Sequence, residues 1–285
     1  MTPGSTLDTA RRADQAPLGE GTKFSTSTAG VARMCNYFLG GKDNYAADRD
    51  SAERVLRRCP VVLRLVQANR GFLDRAATLL AGAGLRQFVD IGCGLPADDN
   101  LGDIVRRTDP SCRVAYVDND PMVVAHARAL LAVDANTTAF AGDVRDTEAL
   151  LADAGLRRLI DFGEPAAVFL LGVLDFLPDE AGPRRIVDAL AAGLAPGSHV
   201  VISHAERTAE LAPIAGPRPG VDTPFHPRGE DEIADICRSL EMVEPYPARL
   251  PQPRAAARGT GPLPLFGCVG RVPGDGRPWP GDGRS

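Results

Sequence analysis

The stretch Gln87-Phe-Val-Asp-Ile-Gly-Cys-Gly-Leu-Pro96 decides how the chain is read. Residues 87–91 form a short apolar run suited to a buried strand, and glycines follow at once. Gly92 and Gly94 let the backbone turn tightly and approach a ligand beside the next helix N-terminus. The spacing Gly92-x-Gly94-x-x-Ala97 also fits the loose dinucleotide fingerprint, so the glycines alone choose no ligand. Asp90 shifts the balance, because a carboxylate at the strand end repels a pyrophosphate. It suits a cationic ligand that carries an ammonium and a sulfonium. Pro96 points the same way, since a ligand without phosphates needs no third small residue there.

Downstream of this stretch, short β-rich runs alternate with helical segments. Further strands are expected at 113–117, 138–141, 167–171 and 199–203, with helices at 98–107, 121–133, 146–153, 180–194 and 229–239. Apolar strands alternating with helices indicate a parallel sheet covered on both faces. Two last strand candidates, 242–244 and 265–269, suggest an antiparallel hairpin at its end. The fold class is therefore α/β: a Rossmann-like, seven-stranded, mostly parallel sheet with a terminal antiparallel strand.

Upstream, residues 28–84 read as a helical cap. Thr28 is placed to cap a helix whose Val31, Met34, Cys35, Phe38 and Leu39 share one stripe, and Gly40-Gly41 stops it. Helices at 46–58 and 61–81 follow. The resulting domain map is an arm at 1–27, the cap at 28–84, a Rossmann-like domain at 85–271 and a tail at 272–285. Both terminal stretches lack periodicity and are expected to be disordered.

The strand ends carry the candidate chemistry. Asp118, 28 residues after Asp90, ends the second strand and is placed to accept hydrogen bonds from ribose hydroxyls. Asp120-Pro121 has a structural reading as a helix cap. Asp143 ends the third strand, where it can accept from an adenine amine while Val144 offers a backbone N–H. Gly172 and Val173 end the fourth and would floor the site; Asp175 reads equally as a ligand contact or a cap. Arg70, in an otherwise apolar helix, suits either a ligand carboxylate or a structural ion pair. The island Asn36 to Tyr45, with Lys42 and Asn44 between two helices, reads as a lid loop. His204, at the end of the fifth strand, is the candidate general base, with a structural hydrogen-bonding role as its alternative.

Composition narrows the classes. A net charge of −5 argues against nucleic acid as the main partner. No apolar stretch reaches membrane-span length and the N-terminus lacks a signal-peptide core, so a cytoplasmic location is expected. The six cysteines include no Cys-x-x-Cys pair, and the four histidines show no metal-ligand spacing, so no metal is expected. Oligomeric state is not legible.

With these residues in place, the chain resembles an actinobacterial family of S-adenosylmethionine-dependent methyltransferases of unknown acceptor. The resemblance rests on Ala32-Arg-Met-Cys-Asn-Tyr-Phe-Leu-Gly-Gly-Lys-Asp-Asn-Tyr-Ala-Ala-Asp-Arg49, Gln67-Ala-Asn-Arg70, the 87–96 stretch, Val117-Asp-Asn-Asp-Pro121, Leu194-Ala-Pro-Gly-Ser198 and Ile202-Ser-His204. It implies an S-adenosylmethionine site at Asp90, Gly92, Gly94, Asp118, Asn119, Asp143 and Val144, covered by the segment from Tyr37 to Asn44. The expected activity is methyl transfer, with a small-molecule acceptor favoured by the acidic site mouth. A non-catalytic cofactor-binding regulator and an NAD-dependent oxidoreductase are the rivals.

Overall fold

The computed structural model describes residues 25–251 and 261–274; most of the two terminal arms, Trp279 included, lies outside them. Among the described residues eight strands form one sheet, in the spatial order 137–141, 113–118, 87–91, 167–171, 199–205, 265–271 and 241–242, with 248–249 also paired to 265–271. Its parallel part comprises β1 (Gln87–Ile91), β2 (Arg113–Asp118), β3 (Thr137–Ala141), β4 (Ala167–Leu171) and β5 (His199–Ala205). The antiparallel end is β8 (Leu265–Arg271), flanked by the two-residue strands β6 (Glu241–Met242) and β7 (Ala248–Arg249). The expected sheet is present, with β7 as an additional short piece. Val272, assigned to the disordered tail from sequence, is instead buried and hydrogen-bonded to Ser198.

Period-two alternation sends each strand's residues to opposite faces, and each face has its own core. Phe88, Val114, Tyr116, Phe169 and Val201 pack on one side. Val89, Ile91, Val117, Val168, Leu170, Val200 and Ile202 pack on the other.

The first face is covered by the N-terminal helices. These are α1 (Val31–Phe38), α2 (Ala46–Arg58) and α3 (Val61–Gly82), joined by α4 (Leu101–Thr108). In α3 the spacing of Leu65, Ala68, Phe72, Ala76 and Leu80 places one apolar stripe on the sheet. Helix α4 starts three residues later than expected, because Asn100 folds back on Ala97 and its N–H donates to Asp103. Next comes α5 (Pro121–Leu130), capped by Asp120 through Met122 N–H. On the second face the helix expected at 146–153 is two, α6 (Thr147–Ala152) and α7 (Ala154–Leu159). Asp153 ends one and caps the other through Leu156 N–H. Helices α8 (Pro183–Gly193) and α9 (Glu230–Ile236) complete that layer.

Strand order reverses between β1 and β4, where successive crossovers leave in opposite directions. Sheets of this kind open a crevice at the carboxyl ends of such strands.

Candidate active site

The crevice is a cavity of about 1620 Å³ at those strand ends, roofed by the segment before α1 and by α1 itself. Asp90 and Asp118 fall on the same sheet face as Phe88 and Tyr116, so alternation turns both carboxylates toward the cap. Asp143, at the end of β3, lines the same cavity. The three acids face one space.

Their environments differ. Burial pushes the Asp90 carboxyl up to about 7, a rise that Arg70 opposes and Asp118 reinforces. Burial likewise raises Asp118 to about 6, against backbone N–H donors that favour its charge. Those donors are Asp120 N at 2.9 Å on one oxygen and Gly94 N at 3.0 Å on the other. Asp143 is held down at about 2 by the Arg145 guanidinium, and Asn119 Nδ2 lies 3.4 Å from its Oδ2.

The glycine turn is built for close approach. Gly92 has φ +70°, and a Cβ there would meet Val173 Cγ2 at 2.4 Å. Gly94 has φ +66° and nothing within 4 Å of the position a Cβ would take, so its side faces open cavity. Gly172, at φ +65° after β4, lies under Asn69 and Asp175. Val144, Asn119 and Arg70 also line the cavity; the Arg70 guanidinium reaches the Asp99 carbonyl.

Tyr37, Lys42 and Asn44 do not join this lining. The Tyr37 hydroxyl donates to Glu53 at 2.5 Å, Lys42 is exposed, and Asn44 donates to Asn36 Oδ1 at 2.9 Å. Their loop wraps Asn36, which also accepts from Asp43 N, and Gly41 sits where a Cβ would strike the Asn36 amide. Leu39, Gly40, Gly41 and Asp43 of the same segment do line the cavity, so it covers the site while the side chains of Tyr37, Lys42 and Asn44 point elsewhere.

His204 is not placed to act as the general base that its position in the sequence suggests. It is fully buried on the face opposite Ser203 and Ala205, which line the cavity. Arg228 Nη1 lies 2.9 Å from His204 Nε2. A guanidinium only donates, so Nε2 accepts and the proton sits on Nδ1. Nδ1 then faces Asp175 Oδ1 at 2.9 Å and the Ala205 carbonyl at 3.0 Å. Neither nitrogen is left to take a proton from a substrate, and the residue is structural. Asp175 is the polar group on the cavity side of this pair, its Oδ1 also accepting from Ala205 N at 2.7 Å.

Two polar atoms given no role from sequence stand out. Asn69 Oδ1 and Ser203 Oγ are buried without a partner, and both residues line the cavity. Alternation along β5 was the signal that distinguishes Ser203 from His204.

An S-adenosyl methyltransferase profile matches residues 18–260. The chain belongs to this family. Among solved structures, this methyltransferase is similar to a candidate methyltransferase from Thermobifida fusca YX, with 35% identity and a TM-score of 0.79. That match covers 87% of this chain and 96% of the other. A DUF574 family protein from Streptomyces avermitilis MA-4680 is 32% identical with a TM-score of 0.78, covering 87% and 99%. No curated protein matches the chain. The family's cofactor is S-adenosylmethionine, and the matches lend nothing to the oxidoreductase or regulator alternatives. Among the described residues, no helix is long and apolar enough to cross a membrane.

Proposed function

We propose that this methyltransferase acts on a small molecule, with S-adenosylmethionine held at the ends of β1, β2 and β3. The observation that carries the reading is the convergence of Asp90, Asp118 and Asp143 on one cavity beside the open face of Gly94. Asp118 takes the ribose hydroxyls, Asp143 and the Val144 N–H address the adenine, and Asp90 with Gly92 faces the cationic end. Arg70 and the free Asn69 Oδ1 stand near that end, where a ligand carboxylate and ammonium need partners. When bound, the cofactor supplies an activated methyl group; the protein's part is to align an acceptor with it.

A small acceptor is supported by the size of the cavity. The cavity exceeds the roughly 300–1,000 Å³ of a single-ligand cleft, leaving room for a second molecule. Backbone bonds from Ala29 N to Gly220 O (3.0 Å) and from Asp222 N to Ala29 O (3.4 Å) close its roof.

Calorimetry with S-adenosylhomocysteine tests the site. Asp118→Ala should lose charge-assisted hydrogen bonds of ~1.5–3 kcal/mol, roughly ten- to hundredfold in affinity. Unchanged affinity in a folded variant refutes the ribose assignment.

A further inference from the structure

Beyond the strand ends assigned to the nucleoside, the cavity continues under the loop that follows β5. Gly216 and Phe225 exchange backbone hydrogen bonds (2.6 and 3.2 Å) and so pinch off residues 217–224. The loop is tied to the cap through Ala29 and to the end of β4 through His226 N, which donates to the Asp175 carbonyl at 2.6 Å. It is fastened at both ends over the cavity.

Arg218 sits on this loop and lines the cavity. Its Nη2 donates to the Thr223 carbonyl at 3.1 Å, and its guanidinium lies 5.9 Å from the Phe225 ring centroid. Its Nε–H is buried and has no acceptor. The acidic groups near it are the Cys35 thiol, which burial pushes up to about 11 and so keeps neutral, and Asp222. Asp222 is exposed and accepts from Thr223 Oγ1. Phe225 packs on Phe176 with ring centroids 5.7 Å apart, and Phe176 directly follows Asp175. Asp175, Phe176, Phe225 and Arg218 therefore form a row from the end of β4 outward, with one carboxylate, two aromatic faces and a cation.

A half-buried guanidinium with an unsatisfied N–H is a standing cost that an apolar or cationic occupant does not relieve. A hydrogen-bond acceptor that reaches this N–H does, an anion most strongly, and a planar ring suits the two phenyl faces. We infer that the acceptor end of the cavity takes a planar aromatic acid, its anionic group on Arg218 and its ring against Phe176 and Phe225. This rests on the methyltransferase reading of the same cavity and adds the acceptor's chemical class.

The full chain, saturated with S-adenosylhomocysteine, is titrated calorimetrically with benzoate, benzamide, benzylamine and acetate. Benzoate should bind roughly tenfold or more tighter than each of the others. Arg218→Gln should erase that preference and Arg218→Lys should keep part of it, both with unchanged S-adenosylhomocysteine affinity. Benzoate and benzamide binding equally, no saturable benzoate binding, or a preference that survives Arg218→Gln each overturns the proposal. The wild-type series decides on its own should a variant fail to fold. Repeating it on the free chain separates the two readings: benzoate preference without S-adenosylhomocysteine binding sinks the cofactor assignment alone.

Discussion

Asp90 is held against its own solvation. Burial raises its carboxyl to about 7 and Asp118 to about 6, from an ordinary value near 4. Between those limits the folded chain holds protons that the unfolded chain has released. The contribution of these two carboxyls to stability therefore falls as pH rises from about 4 to about 7 and is flat beyond. At about 1.4 kcal/mol per unit, the Asp90 contribution is of the order of 2–4 kcal/mol, since the neighbouring acids share it. Asp90→Asn should remove that penalty. In urea unfolding without cofactor, the variant is expected to gain stability at pH 8, gain little at pH 5, and show a flatter dependence between them. The same variant should bind S-adenosylmethionine more weakly, because the anion that faces the ligand's positive end is gone. Equal destabilisation at both pH values would make Asp90 a structural residue. Stability surrendered at a ligand site is a common trade.

At the scale of elements, the cap hangs on one buried ion pair. Arg33 Nε lies 2.9 Å from Asp48 Oδ2, with both side chains almost wholly buried. Asp48 also accepts from Gly30 N and Tyr45 N, so a single carboxylate joins the start of α1 to the start of α2. Removing one partner of such a pair strands the other charge, at about 3–5 kcal/mol. Asp48→Ala should therefore lose about that much in chemical denaturation, whereas the exposed pair Arg107–Asp74 should cost under ~1 kcal/mol when broken. Comparable losses for both would mean that the cap does not depend on this link. The sheet was legible because its signal is local: apolar runs, glycine turns and acids at strand ends all fall within a few residues. The cap's helix spans were legible too, α2 (Ala46–Arg58) to the residue. The inward faces of its polar residues were not. Lys42 and Asn44 lie in a loop without periodicity, and only the folded backbone shows that it closes around Asn36. His204 failed for a different reason. Its place at a strand end is legible, but a one-residue step along β5 moves a side chain to the opposite face.

At the scale of the whole molecule, the cavity is a joint between two differently anchored bodies. The parallel strands are bonded along their length, each flanked by a packed core on either face. The roof packs Met34 and Phe38 into one core, but it is joined to itself and to the strand ends by few polar contacts: Ala29 with Gly220 and Asp222, Gly216 with Phe225, His226 with Asp175, and Arg33 with Asp120 at 3.5 Å. Regions closed by few bonds open below the global unfolding free energy. Amides of α1 and of residues 216–225 should therefore exchange with deuterium faster than those of β1, β4 and β5 in the free chain. A ligand at 100 times its Kd stabilises the closed form by about 2.7 kcal/mol, roughly a hundredfold in protection if the roof alone opens. Saturation with S-adenosylhomocysteine should thus slow exchange mostly in the roof and narrow its difference from the sheet. If the roof amides are already as protected as β5 without ligand, the roof does not open, and ligands must enter by another route than between the cap and the 216–225 loop.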